Sequence, residues 1–297
     1  MFSSLNVGRS FKVAVAALAI LATTWFPAAG QRGGGGGGRQ LSPQQIELNS
    51  ELKQGLEAYK IGHIDEAILH FRKASVLDPE NPTAKVYLGT ALAQKIAPGV
   101  ETPENLMIAQ QAIDLFQEVL EKAPFDVKSM KQIAGIEFSI TKLDDAKAWQ
   151  KKVLAVDAKD AEAAYVVGVI DGMEAHQNAL AALQQAGIKD DGEGNAKAPK
   201  KIMDQLKDQN TPLVQEAMQY LNQALENRPT YDDAMSYMNL VYRAKANLDY
   251  GDAQAVKADL DTAKDWSSKS MGTRKANEAK KSQGPGGITM GDNGEMK

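Results

Sequence analysis

The chain has no cysteine among its 297 residues. That single absence removes disulfide staples, thiolate nucleophiles and cysteine-held zinc. Histidine is scarce too: only His63, His70 and His176 remain for metal ligation or proton transfer. His63 falls in a turn and His70 beside Phe71 on the next helix, so the two read as solvated or packed imidazoles rather than as a ligand pair. Neither sign of charge dominates. With 34 basic and 38 acidic residues the formal net charge is −4, which leaves no electrostatic footprint for nucleic acid. The sequence contains no His-x-x-x-His, no Gly-x-Ser-x-Gly, no phosphate-binding loop and no calcium-loop spacing. The acidic pairs at 144–145, 190–191 and 232–233 fall at helix starts or in a Gly-rich stretch, where carboxylates complement the positive end of a helix dipole. No residue stands out as catalytic, and no cofactor or metal is expected.

Long apolar runs are absent as well, with one exception. Arg9 and Lys12 precede an apolar stretch from Val13 to Phe26, and Pro27-Ala28-Ala29-Gly30 follows with small residues. These are the three parts of a secretory signal, and the apolar stretch is short of the ~20 residues that cross a bilayer. Residues 1–30 therefore read as a signal peptide cut before Gln31, and its loss takes the net charge to −6. The expected location is periplasmic or secreted, with membrane contact only through an uncleaved signal segment. Residues 31–45, with six consecutive glycines from Gly33 to Gly38, read as a flexible linker. Ser42-Pro43 supplies an N-cap and a first helical residue.

What the chain does have is a period. Gly55, Ala67, Phe71 and Pro79 return as Gly89, Ala112, Phe116 and Pro124, shifted by 34 residues or by 34 plus an insertion of 11. The next copy reads Ala134, Ala146, Gln150 and Ala158. The one after reads Gly168, Ala217, Leu221 and Pro229, with 37 residues inserted between its first two anchors. Ala74 and Ala224 occupy matching places later in their helices. Small residues where two antiparallel helices cross let the backbones approach to about 8–10 Å, and the aromatic fills the space beside them. Gln150 breaks that rule, and the neighbouring Trp149 offers the missing bulk. A fifth pair runs from Asp232, with its second helix from about Asp249 to Asp265, where the small-residue register slips: Gly251 stands at the expected alanine place while Ala253 and Ala255 compete for it.

A 34-residue period with these anchors resembles the tetratricopeptide repeat, as found in bacterial repeat proteins. The resemblance covers roughly residues 46–265 and is most complete from Leu52 to Pro79. It implies an all-α, right-handed solenoid of about five helix pairs. A helical-hairpin insertion at 171–213 interrupts the fourth: a first helix prolonged to about Ala186, a flexible tip from Gly187 to Pro199, and a helix from Lys200 that breaks at Thr211-Pro212. Residues 266–297, rich in Ser, Lys, Gly and Asn, are expected to be disordered.

The resemblance also implies a function: first helices lining a concave groove that binds a peptide or a partner protein, without enzymatic activity. By register the groove carries Tyr59, Lys60, Lys131, Phe138, Tyr165 and Arg243, with Thr90 and Gly135 among their neighbours. Three cations beside three aromatics suit an acidic or C-terminal peptide. Some members of the family clamp a chaperone's terminal carboxylate with Lys and Asn, but Leu52 and Leu56 stand at those places here. An alternative is a structural, envelope-assembly spacer that binds through the 171–213 hairpin. Self-association and the identity of the partner are left open.

Overall fold

The computed structural model describes residues 41–282. The signal peptide and most of the Gly-rich linker expected from the sequence lie outside these residues, as do residues 283–297. Ten helices and no strand occur among the described residues: α1 Pro43–Lys60, α2 Ile64–Leu77, α3 Pro82–Ala93, α4 Pro103–Lys122, α5 Val127–Ser139, α6 Leu143–Val156, α7 Ala161–Gln185, α8 Lys200–Asn227, α9 Asp232–Leu248 and α10 Ala253–Ser282. They follow one another as five helix–turn–helix pairs in an all-α helical repeat fold. The chain forms two compact units, Met1–Ala146 and Lys147–Lys297.

Helix starts are set by local chemistry. Ser42 caps α1 with a capping box: its Oγ accepts from the Gln45 amide at 3.2 Å, and Gln45 Oε1 accepts from the Ser42 amide at 3.0 Å. Asn81, Thr102, Asp126 and Asp160 do the same work for α3, α4, α5 and α7, each accepting from backbone amides of the first turn. Pro43, Pro82 and Pro103 occupy first-turn positions that need no amide hydrogen. Pro79, Pro124 and Pro229 lie exposed in the turns and serve to stop helices.

The repeat anchors pack as the period requires. A Cβ added to Gly55 would sit 2.5 Å from Phe71 Cε1, and one on Gly89 would sit 3.0 Å from two atoms of the Phe116 ring. On Gly168 it would fall 2.7 Å from Leu221 Cγ and 3.0 Å from the Ala217 carbonyl oxygen. Each glycine thus exists to admit one large side chain from the second helix of its own pair. Phe71, Phe116 and Leu221 are buried, and Ala67, Ala74, Ala112, Ala146, Ala217 and Ala224 are fully enclosed around them. The third copy differs. Gln150 takes the aromatic's buried place with its Oε1 unpartnered, while Trp149 stays half-buried at the surface under the Lys152 ammonium, 3.6 Å from the ring centroid. Trp149 does not supply the missing bulk, because consecutive helical residues point about 100° apart.

In the insertion, α7 ends at Gln185 and α8 begins at Lys200, close to expectation. No break occurs at Thr211-Pro212. Met203, Leu206, Asn210, Val214, Ala217, Leu221 and Ala224 form one buried stripe at helical spacing that runs straight past Pro212. Asn210 ties that stretch to α7, donating to the Ala175 carbonyl at 2.7 Å and accepting from Asn178 at 3.0 Å. Ala179, Leu183, Ala198, Met203 and Leu206 make a small core of their own, with Ile188 and Tyr250 against it.

The tip is not a free loop either. Asn195 is buried and donates to Asn247 Oδ1 at 2.9 Å, Arg243 donates to the Gly192 carbonyl at 3.0 Å, and Gly194 (φ 93°) lies so close to Val256 that a Cβ would meet it at 2.7 Å. The glycines that suggested flexibility are there for left-handed backbone and close approach.

The C-terminal region departs furthest from expectation. A turn with Gly251 at φ 90° precedes α10, so Gly251 holds no alanine place; Ala263 is the fully buried small residue. Helix α10 then continues to Ser282 instead of giving way to disorder at 266. Its polar residues make a stripe: Ser270 donates to the Asp232 carbonyl at 2.9 Å, Arg274 pairs with Asp232 and Asp233 at 2.7 and 3.0 Å, and Asn277 donates to the Thr230 carbonyl at 3.0 Å. Low hydrophobicity there reflects polar docking rather than absence of structure.

Candidate interaction surface

In the first unit Tyr59 lies in the last turn of α1, half-buried, and Lys60 beside it is exposed. Burial pushes the Tyr59 hydroxyl above the ordinary phenol range, eased by a hydrogen bond with Gln94. Lys131 is half-buried on α5. Phe138, expected to face a partner, is buried at 9% exposure and belongs to the core. Its neighbours Ile136 and Ile140 are buried as well, so the end of α5 is enclosed on most sides rather than presenting one open face.

One concavity on this unit lies between the C-terminal half of α3, the turn after it, and α5. It is a shallow cavity of about 120 Å³ with an apolar floor that includes Ile96, Pro98 and Ile136. Four polar side chains reach it: Thr90, Gln94, Gln132 and Ser139. Ser139 turns its hydroxyl back onto the Gly135 carbonyl at 2.8 Å, the usual recourse of a helical hydroxyl. Thr90 does not. It is 5% exposed and its Oγ1 has no partner, an arrangement that costs about 1–3 kcal/mol. Thr90 and Gly135 were legible in the register of first helices. Gln94 and Gln132 were not, because a glutamine on a helix surface carries no periodic signal.

His63 and His70 sit on this unit without forming a pair. His63 precedes α2 and contacts Glu66 at 3.2 Å, whereas His70 Nδ1 meets Glu51 at 2.6 Å. That hydrogen bond is the largest cause holding the Glu51 carboxyl below the usual range.

In the second unit the two remaining expected contact residues are engaged internally. Tyr165 packs against Tyr231, with ring centroids 4.8 Å apart, and edge-on to Tyr237 at 5.6 Å; burial pushes its hydroxyl far above the phenol range. Arg243 spends one donor on the insertion tip. Both residues are half-buried. His176 is exposed on α7.

A polar cluster that sequence reasoning missed lies where α6, α7 and α8 meet. Asp171 is fully buried on α7. Its Oδ1 accepts from Lys147 at 2.7 Å while its Oδ2 has no donor. Lys147 also faces Glu216 at 3.5 Å, and Lys151 pairs with Glu216 at 2.6 Å. Burial pushes the Asp171 carboxyl up to about 6 against the pull of Lys147. Glu216 moves down: burial opposes this, but the bond to Lys151 and its charge prevail. Of the two carboxyls, Asp171, the one without solvent, is therefore the first to take a proton as the pH falls. A carboxylate inside the apolar run Val166-Val-Gly-Val-Ile-Asp171 was the available signal.

Among the described residues no group of three or more His, Asp or Glu side chains is placed to hold a metal ion, and no helix is long and apolar enough to cross a membrane.

No protein-family model matches the sequence, and no curated protein matches it. Solved structures do. A MamA RS-1 ArsTM double mutant superposes with a TM-score of 0.53 at 14% identity, over 79% of this chain and 98% of that one. MamA from residue 41 to its end, from Desulfovibrio magneticus RS-1, gives 0.51 at 14% identity over 77% and 96%. Another MamA crystal structure gives 0.50 at 14% identity over 82% and 98%. At that identity the likeness is one of fold, and it places the chain among all-helical repeat structures.

Proposed function

We propose that this chain is an exported, non-enzymatic interaction module that holds a peptide or partner protein against the first-helix face of its first unit. The observation that carries the reading is the concavity between α3 and α5, where Gln94, Gln132 and Ser139 meet an apolar floor that includes Ile96, Pro98 and Ile136. A concave surface with polar side chains over an apolar floor suits a peptide, and a spacer has no need of one. The alternative, docking through the 171–213 hairpin, has less to work with, since Leu183, Met203 and Leu206 are consumed inside the hairpin and its tip is tied to Arg243 and Asn247. Export rests on the N-terminal Arg9 to Gly30 pattern, and a periplasmic or secreted location follows from it.

Site-specific photocrosslinking tests the reading. A photoreactive residue at Gln132 in the full chain is expected to yield a discrete adduct in cells of the source organism, whereas the same residue at Leu69, exposed on α2, is not. Equal labelling from both positions, or none from Gln132, would reject the groove. N-terminal sequencing of the mature protein tests export: a start at Gln31 is expected, and an intact Met1 in the cytosolic fraction would remove that part of the proposal.

A further inference from the structure

We infer that residues 273–282, the far end of α10, form a strap that swings open about Gly272 to bare Met235, held shut by one arginine and so governed by ionic strength. The inference is independent of the groove and concerns the second unit alone. It starts from a difference between the two halves of α10. The near half is anchored by enclosure: Ala263 is fully buried, Leu260 and Trp266 are half-buried, and Asp259 is buried against Lys245 at 2.9 Å. From 274 to 280 no residue is buried and only Asn277 is half-buried. What holds this stretch is polar. Arg274 Nε and Nη2 donate to Asp232 and Asp233 at 2.7 and 3.0 Å, and Asn277 Nδ2 donates to the Thr230 carbonyl at 3.0 Å and to Asp232 Oδ1 at 3.1 Å.

Between the halves the helix is weak. Five of the seven residues 267–273 are Ser, Thr or Gly, all poorer helix formers than Ala or Leu. Gly55, Gly89, Gly168 and Gly172 each admit a large side chain from another helix, whereas a Cβ on Gly272 would meet nothing within 4 Å. A mid-helix glycine with no close approach to serve only loosens the backbone. A helix of ten residues is too short to persist in water by itself, so the strap is helical only while docked and opens as a unit. Arg274 keeps half its side chain in solvent, and such a pair weakens as salt shortens the screening length to about 3 Å at 1 M. Under the closed strap the Thr273 Oγ1 lies 3.4 Å from Met235 Sδ, and Met235 is 9% exposed. Ionic strength thus sets how often that thioether meets solvent.

Dilute hydrogen peroxide tests this, converting an accessible thioether to its sulfoxide with release of water, each methionine of the full chain being read by mass spectrometry after digestion. Met107, exposed on α4, calibrates the reagent, and Met238, buried one turn further along α9, reports any wider unfolding. Relative to Met107, Met235 should oxidise about fivefold faster in Arg274→Ala, the loss of a solvent-exposed ion pair. Raising sodium chloride from about 0.05 to about 1 M should accelerate Met235 similarly in the unaltered chain and have little effect in Arg274→Ala. Gly272→Ala should slow it about fivefold by stiffening the hinge, and Met238 should respond to none of these changes. A residue needed only for folding could not make the salt response vanish.

A Met235 rate indifferent to Arg274→Ala or to salt would overturn the inference, since the strap would then stay shut or leave the thioether uncovered. Met238 accelerating in step with Met235 would overturn it as well, by making the opening a wider unfolding. Amide exchange gives a further decision: residues 274–280 should share one rate that rises with salt, and protection that declines gradually toward Ser282 would be ordinary fraying and refute a strap.

Discussion

Replacing Asp171 by Asn is expected to stabilise the second unit at neutral pH, although it removes a residue that holds an ion pair. Asp171 has no solvent, one lysine partner at 2.7 Å and an oxygen with no donor at all. Its carboxyl titrates near 6 in the folded chain against 3.8 in the unfolded one. Between those values the folded form holds a proton that the unfolded form has released, so stability falls as pH rises from about 4 to about 6 and stays low above it. At 1.36 kcal/mol per pH unit the full effect is up to about 3 kcal/mol. Glu216 acts in the opposite sense, its lowered pKa contributing stability above its unfolded value that is lost as pH falls. The informative quantity is therefore the difference between parent and variant at each pH. Asparagine reproduces the protonated acid: its oxygen accepts from Lys147, and its amide donates toward Glu216 as a proton on Oδ2 would. The two proteins should match near pH 4, with the variant ahead by about 1–3 kcal/mol at pH 7. Urea unfolding suits the measurement, because guanidinium would screen the cluster. In the mature chain starting at Gln31 the two tryptophans, Trp149 and Trp266, both report on the second unit. A variant less stable than the parent at pH 7, or a difference that does not change between pH 4 and 7, would refute the reasoning.

Gln150 offers a related test in a different chemistry: its buried Oε1 lacks a donor, so Gln150→Leu should raise stability by about 1 kcal/mol in the same urea assay. An unsatisfied polar atom that a leucine fails to improve would mean that an ordered water already serves it. Gly55→Ala should lower the first unit's stability by about 1–3 kcal/mol, since the new methyl would meet the Phe71 ring at 2.5 Å, and calorimetry would show the loss. Pairing it with Phe71→Leu should recover part of that loss by clearing the ring, and no recovery would place the strain elsewhere.

The period, the caps and the crossing glycines were legible before any coordinate, because each is a local or once-per-repeat requirement. Ser42 caps the helix that follows it within four residues, and Gly55 answers Phe71 within one pair. The helix ends at Asp78-Pro79 and Ala123-Pro124 follow from proline's missing amide. What the chain's own pattern fixed was therefore the all-helical repeat, with its pair boundaries and the start of the insertion's second helix.

The tertiary structure alone decided the rest, and in each case the partner is far along the chain. Asn195 meets Asn247 across 52 positions, Arg243 reaches Gly192 across 51, and Asn277 holds Thr230 across 47. Windowed composition sees Gly, Asp and Lys in those stretches and reads flexibility, since it weighs hydrophobic content and cannot see the complementary group. The contact surface was misjudged for a similar reason. Phe138 and Tyr165 stand at register positions that face outward in an ideal repeat, but burial at the end of α5 and the Tyr231 and Tyr237 rings enclose them. Register fixes the direction in which a side chain leaves its helix; what waits there depends on which distant segment the fold brings to that place.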